Sequence, residues 1–193
     1  VNMTVCVFAA SSSRTDGEYS KAASRLGTLL AQQHIDIVYG GGGIGLMGKL
    51  ADAALQAGGK ITGVIPAFMK EEGWGHHGIS EMIVTTDMNE RKKKMFELSD
   101  AVVALPGGIG TLEELTEAIT LKQLSLFHGR VIILNTLGYY DSFLKFIDDM
   151  VKGNFFRHEH RGIWQVASTP EEALSMITRE QKDSEEWRKT AKI

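Results

Sequence analysis

Residues 35–48 read IDIVYGGGGIGLMG, and residues 100–114 read DAVVALPGGIGTLEE. Each stretch opens as a short apolar run of strand length, passes through glycines, and continues into an apolar pattern of helical period. Further strand-like runs lie at 3–9, 60–65, 81–86, 130–135 and 163–167, beside those at 35–39 and 100–105. Helical patterns fill the intervals near 17–33, 44–58, 88–98, 111–126, 139–152 and 170–181. Several strands are apolar almost throughout, as strands covered on both faces must be. Regular alternation of strand and helix predicts an α/β fold, a doubly wound parallel sheet with right-handed crossovers and helices on both sides.

The chain has 193 residues, 43 % of them hydrophobic and 23 % charged, an ordinary globular balance with enough length for a substantial core. Residues 1–181 are expected to form one nucleotide-binding domain and 182–193 a charged C-terminal tail. A net charge of −3 gives no broad field for nucleic acid or an anionic membrane, so an anionic ligand must be caught locally. Cys6 is alone and lies in an apolar run, which suits a buried small side chain rather than a disulfide or metal framework. No run reaches the length of a membrane span, and a cytoplasmic location is expected.

Ligands of open parallel sheets bind beyond the carboxyl ends of the strands, where strand order reverses. Four loops that follow strands carry unusual chemistry: Ala9 to Ser13 with Ser11 and Ser12, Gly40 to Gly48, Asp87 to Lys94, and Pro106 to Glu114. In the two glycine loops the missing Cβ atoms would expose backbone amides at a helix start, an anion site that needs no basic side chain. Gly41, Gly42, Gly43 and Gly45, with Gly107, Gly108, Ile109, Gly110 and Thr111, are the candidate phosphate ligands.

Gly43-x-Gly45-x-x-Gly48 matches a dinucleotide fingerprint in letters only. It follows the second strand, and no carboxylate ends the third, which closes Gly63-Val64-Ile65-Pro66. The Lys and Ser/Thr of an ATP-binding P-loop are absent as well. Thr111-x-x-Glu114 has the spacing of a helix capping box, a structural use for Glu114. Against that, a carboxylate beside an anion site needs a task, and opposing a cationic, oxocarbenium-like transition state is one. Arg91 falls in the first turn of its helix, where the dipole disfavours a cation unless an anion or carboxylate compensates. His76-His77 and His158-Glu159-His160 lack zinc-helix spacing, so no metal and no cofactor are expected.

Together VYGGGGIGLMG, MNERKKKM and PGGIGTLEE resemble the Lonely guy (LOG) family, the cytokinin riboside 5′-monophosphate phosphoribohydrolases, whose signature PGGxGTxxE is complete from Pro106 to Glu114. The likeness runs from Val5 to about Ile177. It implies a Rossmann-like fold, a homodimer, and hydrolysis of an N6-substituted adenosine 5′-monophosphate to free base and ribose 5-phosphate. Arg91 and Glu114 match the catalytic pair. Lys92, the stretch Gly108 to Glu114 with Leu112 and Glu113, and Thr120 match substrate-binding positions. Two departures stand out: Ala9-Ala10-Ser11-Ser12 replaces the common Cys-Gly-Ser-Ser, and Gly73 stands where many members carry a ligand-contacting Glu. Leu121, Leu124, Leu126 and Phe127 are candidate interface residues. A nucleotide or cofactor carrier resembling molybdenum cofactor carriers is the alternative reading, and an NAD(P)-dependent enzyme the third.

Overall fold

Successive side chains of a strand face opposite ways, and β1 (Thr4–Phe8) shows the consequence. Val5 and Val7 enter one buried cluster, Cys6 and Phe8 another. The computed structural model describes residues 2–79, 81–179 and 187–190. With β1, the strands β2 (Asp36–Tyr39), β3 (Ile61–Pro66), β4 (Glu81–Thr85), β5 (Ala101–Ala104), β6 (Arg130–Leu134) and β7 (Trp164–Ala167) form one sheet. Its order is β4-β3-β2-β1-β5-β6-β7, and every pairing is parallel.

The helices are α1 (Gly17–Gln32), α2 (Gly45–Gln56), α3 (Ala67–Glu71), α4 (Met88–Glu97), α5 (Ile109–Gln123), α6 (Asp141–Lys152), α7 (Pro170–Thr178) and α8 (Trp187–Thr190). Residues of α1, α2 and α7 cover one face of the sheet, and residues of α4, α5 and α6 the other. The chain leaves β1 toward β2 on one side and returns to β5 on the other, so strand order reverses between β1 and β5. That reversal splays two strand-to-helix loops apart and opens a crevice between them.

Several sequence expectations shift. α5 begins at Ile109, two residues before the expected start, because Gly108 already serves as its N-cap. It ends at Gln123, short of 126, with Ser125 in a left-handed turn at φ 55. A helix was expected from 139, but Thr136–Gly138 forms a separate 3-10 turn and α6 starts at Asp141. α3 and the 3-10 helix His158–Ile163 were not anticipated; five or six residues give too little period to read. In the stretch expected as a charged tail, Trp187 packs against the second cluster, 6.2 Å in ring centroid from His160. The rest of the tail, 182–186 and 191–193, lies outside the described residues. Cys6 is fully buried, and burial pushes its thiol up. No helix among the described residues is long and apolar enough to cross a membrane.

Candidate active site

Gly40 has no Cβ because the space belongs to Arg91: a Cβ there would meet the Arg91 guanidinium. Arg91 is the fourth residue of α4, a helix capped by Asp87, whose side chain accepts from the Glu90 amide at 2.8 Å. From there Arg91 Nη2 donates to the Gly40 carbonyl at 2.7 Å and Nε to the Val64 carbonyl at 3.0 Å. The cation at a helix start is thus compensated by the carbonyl oxygens of Gly40, just past β2, and Val64, within β3, a pairing the sequence did not suggest. Only 7 % of Arg91 remains exposed.

Glu114 faces the same cleft from α5. It is the sixth residue of that helix, and no side chain caps the helix start, so the capping-box reading is corrected. Two residues of extra helix carry Glu114 past the reach of the N-terminal amides. Burial raises its carboxyl from 4.5 to about 7; Arg91 opposes the rise and Glu113 adds to it. A carboxyl that titrates near neutrality in a cleft is suited to proton transfer.

The cleft they share holds about 550 Å³. Ala9, Ala10 and Ser11 form one part of its wall, Gly40 and Gly42 another, and Gly108 to Thr111 a third. At Gly108 and Gly110 an added Cβ would meet nothing within 4 Å, so the mouth of α5 is open to a ligand. The amides of its first turn have no intrahelical acceptor, and the positive end of the helix dipole sits there. α2 differs: its Met47 amide already donates to the Ala10 carbonyl at 3.2 Å. Gly45, with φ +64, lies against the Ala10–Ser11 backbone, and Gly48 against Gly43. Much of the glycine loop at 40–48 therefore serves close packing, and Gly41, Gly43 and Gly45 do not line the cleft.

Other expected positions also lie off the wall. Lys92 turns away to an ion pair with Glu113 and to Glu117 Oε2 at 2.8 Å, contacts that hold its ammonium above the ordinary range. Ser12, Gly107, Leu112 and Glu113 are not part of the lining, and Thr120 donates to the Thr116 carbonyl at 2.9 Å. Unanticipated are Ile44, Met47, Ile65, Met69 and Trp74, apolar side chains that line the same cleft as the charged pair. A Trp between Gly73 and Gly75 was the one signal in the sequence, and the structure leaves Trp74 exposed. Its segment is strapped to the glycine loop: Gly43 N–H donates to the Trp74 carbonyl at 3.1 Å, His76 N–H to the Gly41 carbonyl at 2.9 Å. His76 Nε2 sits 2.9 Å from Asp52 Oδ1, a structural use for that histidine. Among the described residues, no group of three or more His, Cys, Asp or Glu could hold a metal ion.

A family model described as "Possible lysine decarboxylase" matches residues 47–177. Over 173 residues the chain is 42 % identical to the cytokinin riboside 5′-monophosphate phosphoribohydrolase LOG1 of Arabidopsis thaliana, covering 90 % of this chain and 81 % of that one. This chain belongs to the LOG family. A second Arabidopsis thaliana member, LOG5, is 41 % identical, with 90 % of this chain and 76 % of that protein covered. Among solved structures, the molybdenum cofactor binding protein of Rippkaea orientalis superposes with a TM-score of 0.70. At 23 % identity, over 92 % of this chain and 96 % of that one, this likeness shows the fold alone. Among the described residues of this LOG-family chain, the charged ones lining the cleft are Arg91 and Glu114.

Proposed function

We propose that this chain hydrolyses the N-glycosidic bond of N6-substituted adenosine 5′-monophosphates, releasing the free purine base and ribose 5-phosphate, the reaction carried in the names of its relatives. One observation supports this reading above the others: Glu114 and Arg91 face the same cleft as the open start of α5. The 5′-phosphate binds the amides at Gly108 to Thr111, with Ser11 beside them. The base lies along Met47, Ile65, Met69 and Trp74, where an apolar N6 substituent loses water at little cost. As the bond from C1′ to the base nitrogen breaks, positive charge builds on the ribose ring. The Glu114 carboxylate opposes that charge and takes a proton from the water that adds to C1′. The proton then passes to the departing base, so atoms and charge balance. Arg91 holds Glu114 toward its ionised form, and its buried guanidinium ties the Gly40 loop to Val64 of β3.

The test is release of free base from AMP and N6-isopentenyl-AMP beside the matching nucleosides. Losing the phosphate removes several charge-assisted hydrogen bonds, each about 1.5–3 kcal/mol. Monophosphates should therefore exceed nucleosides by at least roughly a hundredfold in kcat/KM. Comparable values for adenosine and AMP would remove the phosphate assignment.

We also assign a homodimer, and place the enzyme in the cytoplasm, which a single buried thiol suits. Phe127 is core and Leu121 packs on it, whereas Leu124 and Leu126 stay exposed at 41 % and 66 %, which narrows the expected interface residues to these two. Light scattering at assay concentration should give a dimer mass, and Leu126→Glu should shift it toward the monomer. A fully active monomer would contradict this assignment.

A further inference from the structure

The connection between β6 and α6 takes no part in the cleft wall, yet it grips the loop that does. Tyr139 Oη donates to the Gly107 carbonyl at 2.5 Å, and Tyr140 Oη donates to the Leu105 carbonyl at 2.6 Å. Adjacent tyrosines thus hold carbonyls two residues apart on either side of Pro106.

We infer that Tyr139, backed by Tyr140, is a positioning residue for the anion site: its hydroxyl fixes the Gly107–Gly108 peptide plane so that the Gly108 amide faces the cleft. The inference rests on the phosphate assignment made above. In a trans peptide the C=O and the following N–H point in opposite directions, and no peptide among the described residues is cis. Gly107 and Tyr139 lie off the cleft wall while Gly108 lines it. Drawing the Gly107 oxygen toward Tyr139 therefore turns the Gly108 N–H the other way. A peptide between two glycines has little steric preference of its own. Flipped, it would present a carbonyl oxygen to the phosphate and repel it.

The clamp is itself held at some cost. Tyr140 is buried, and its N–H donates to Asn135 Oδ1 at 2.7 Å, while Asn135 Nδ2 donates to Asp141 Oδ1 at 2.8 Å. Leu137, with no glycine's freedom, sits at φ 54 in the turn that delivers both rings. Tyr19 and Tyr140 pack edge-on against Tyr139, at centroid distances of 5.7 and 5.1 Å.

Tyr139→Phe keeps the ring and its packing and removes the hydroxyl alone. KM for AMP and the inhibition constant of inorganic phosphate should both rise about tenfold, the loss of one good hydrogen bond's worth of order. Turnover at saturation should change less than about threefold, cleavage of adenosine should be unchanged, and the melting temperature should stay close to wild type. Unchanged KM and unchanged phosphate inhibition would overturn the clamp. So would an equal loss on adenosine and AMP, which would mark general damage to the fold. A wild-type enzyme that cleaves adenosine as well as AMP, or ignores inorganic phosphate, would instead overturn the phosphate assignment beneath it.

Discussion

Glu114→Gln is expected to lower kcat/KM on N6-isopentenyl-AMP by roughly a hundredfold to ten-thousandfold, the range typical of a lost proton-transfer group. Gln keeps the size and the hydrogen-bonding tip and removes the charge that opposes the ribosyl cation. The wild-type rate should rise with pH through about 7, where burial has placed the Glu114 carboxyl, and the variant should lack that limb. Stability should move the opposite way. The folded chain binds the Glu114 proton more tightly than the unfolded chain does. Its contribution is therefore full below about pH 4.5 and lost as pH rises through about 7. The difference is on the order of 3 kcal/mol, or roughly 6–12 °C in Tm for a chain of this size. Wild type should lose this between pH 4 and pH 8, and Glu114→Gln should not. Thermal melts at both pH values decide the stability part. A Gln variant within a fewfold of wild-type activity would remove Glu114 from the mechanism.

Arg91→Ala should damage both fold and chemistry, because one guanidinium serves two buried carbonyls and one carboxyl. Its removal strips donors from the Gly40 and Val64 carbonyls, both in the interior beside the cleft. Each of the two charge-assisted bonds is worth about 1.5–3 kcal/mol, so a loss of roughly 3–6 kcal/mol is expected in denaturant titrations. Activity should fall at least a hundredfold, by general acid–base magnitudes. Arg91 also draws the Glu114 carboxyl downward, so the residual activity should show its pH limb displaced to higher pH. Arg91→Lys restores the charge but cannot reach both carbonyls with one ammonium. It should recover the position of the limb better than it recovers stability. An Arg91→Ala enzyme whose limb stays at the wild-type pH would show that the two groups are uncoupled.

The sequence by itself determined the layered architecture and the sheet edge that carries the cleft. Strands such as 101–104 and 131–134 are apolar on both faces, and only a parallel sheet buried between helices accommodates that pattern. Glycines after the second and fifth strands marked the loops, since a missing Cβ is a local property visible one residue at a time. Arg91 and Glu114 were legible because their residue types conflict with their local positions. What each glycine does was decided only by tertiary structure. Gly45 and Gly48 give way to neighbouring backbone, Gly40 to the Arg91 guanidinium, and Gly108 and Gly110 to open space, although all five look alike in sequence. The capping-box spacing at Thr111 failed because Gly108, three residues earlier, is the N-cap, so Thr111 already lies inside the helix. Trp74 reaches the cleft because its strap pairs with a loop some thirty residues earlier, and Lys92 leaves it because Glu113 and Glu117 of α5 lie alongside. Such pairings join segments distant in the chain, and no local period or propensity encodes them; the packing of the two faces on one sheet does.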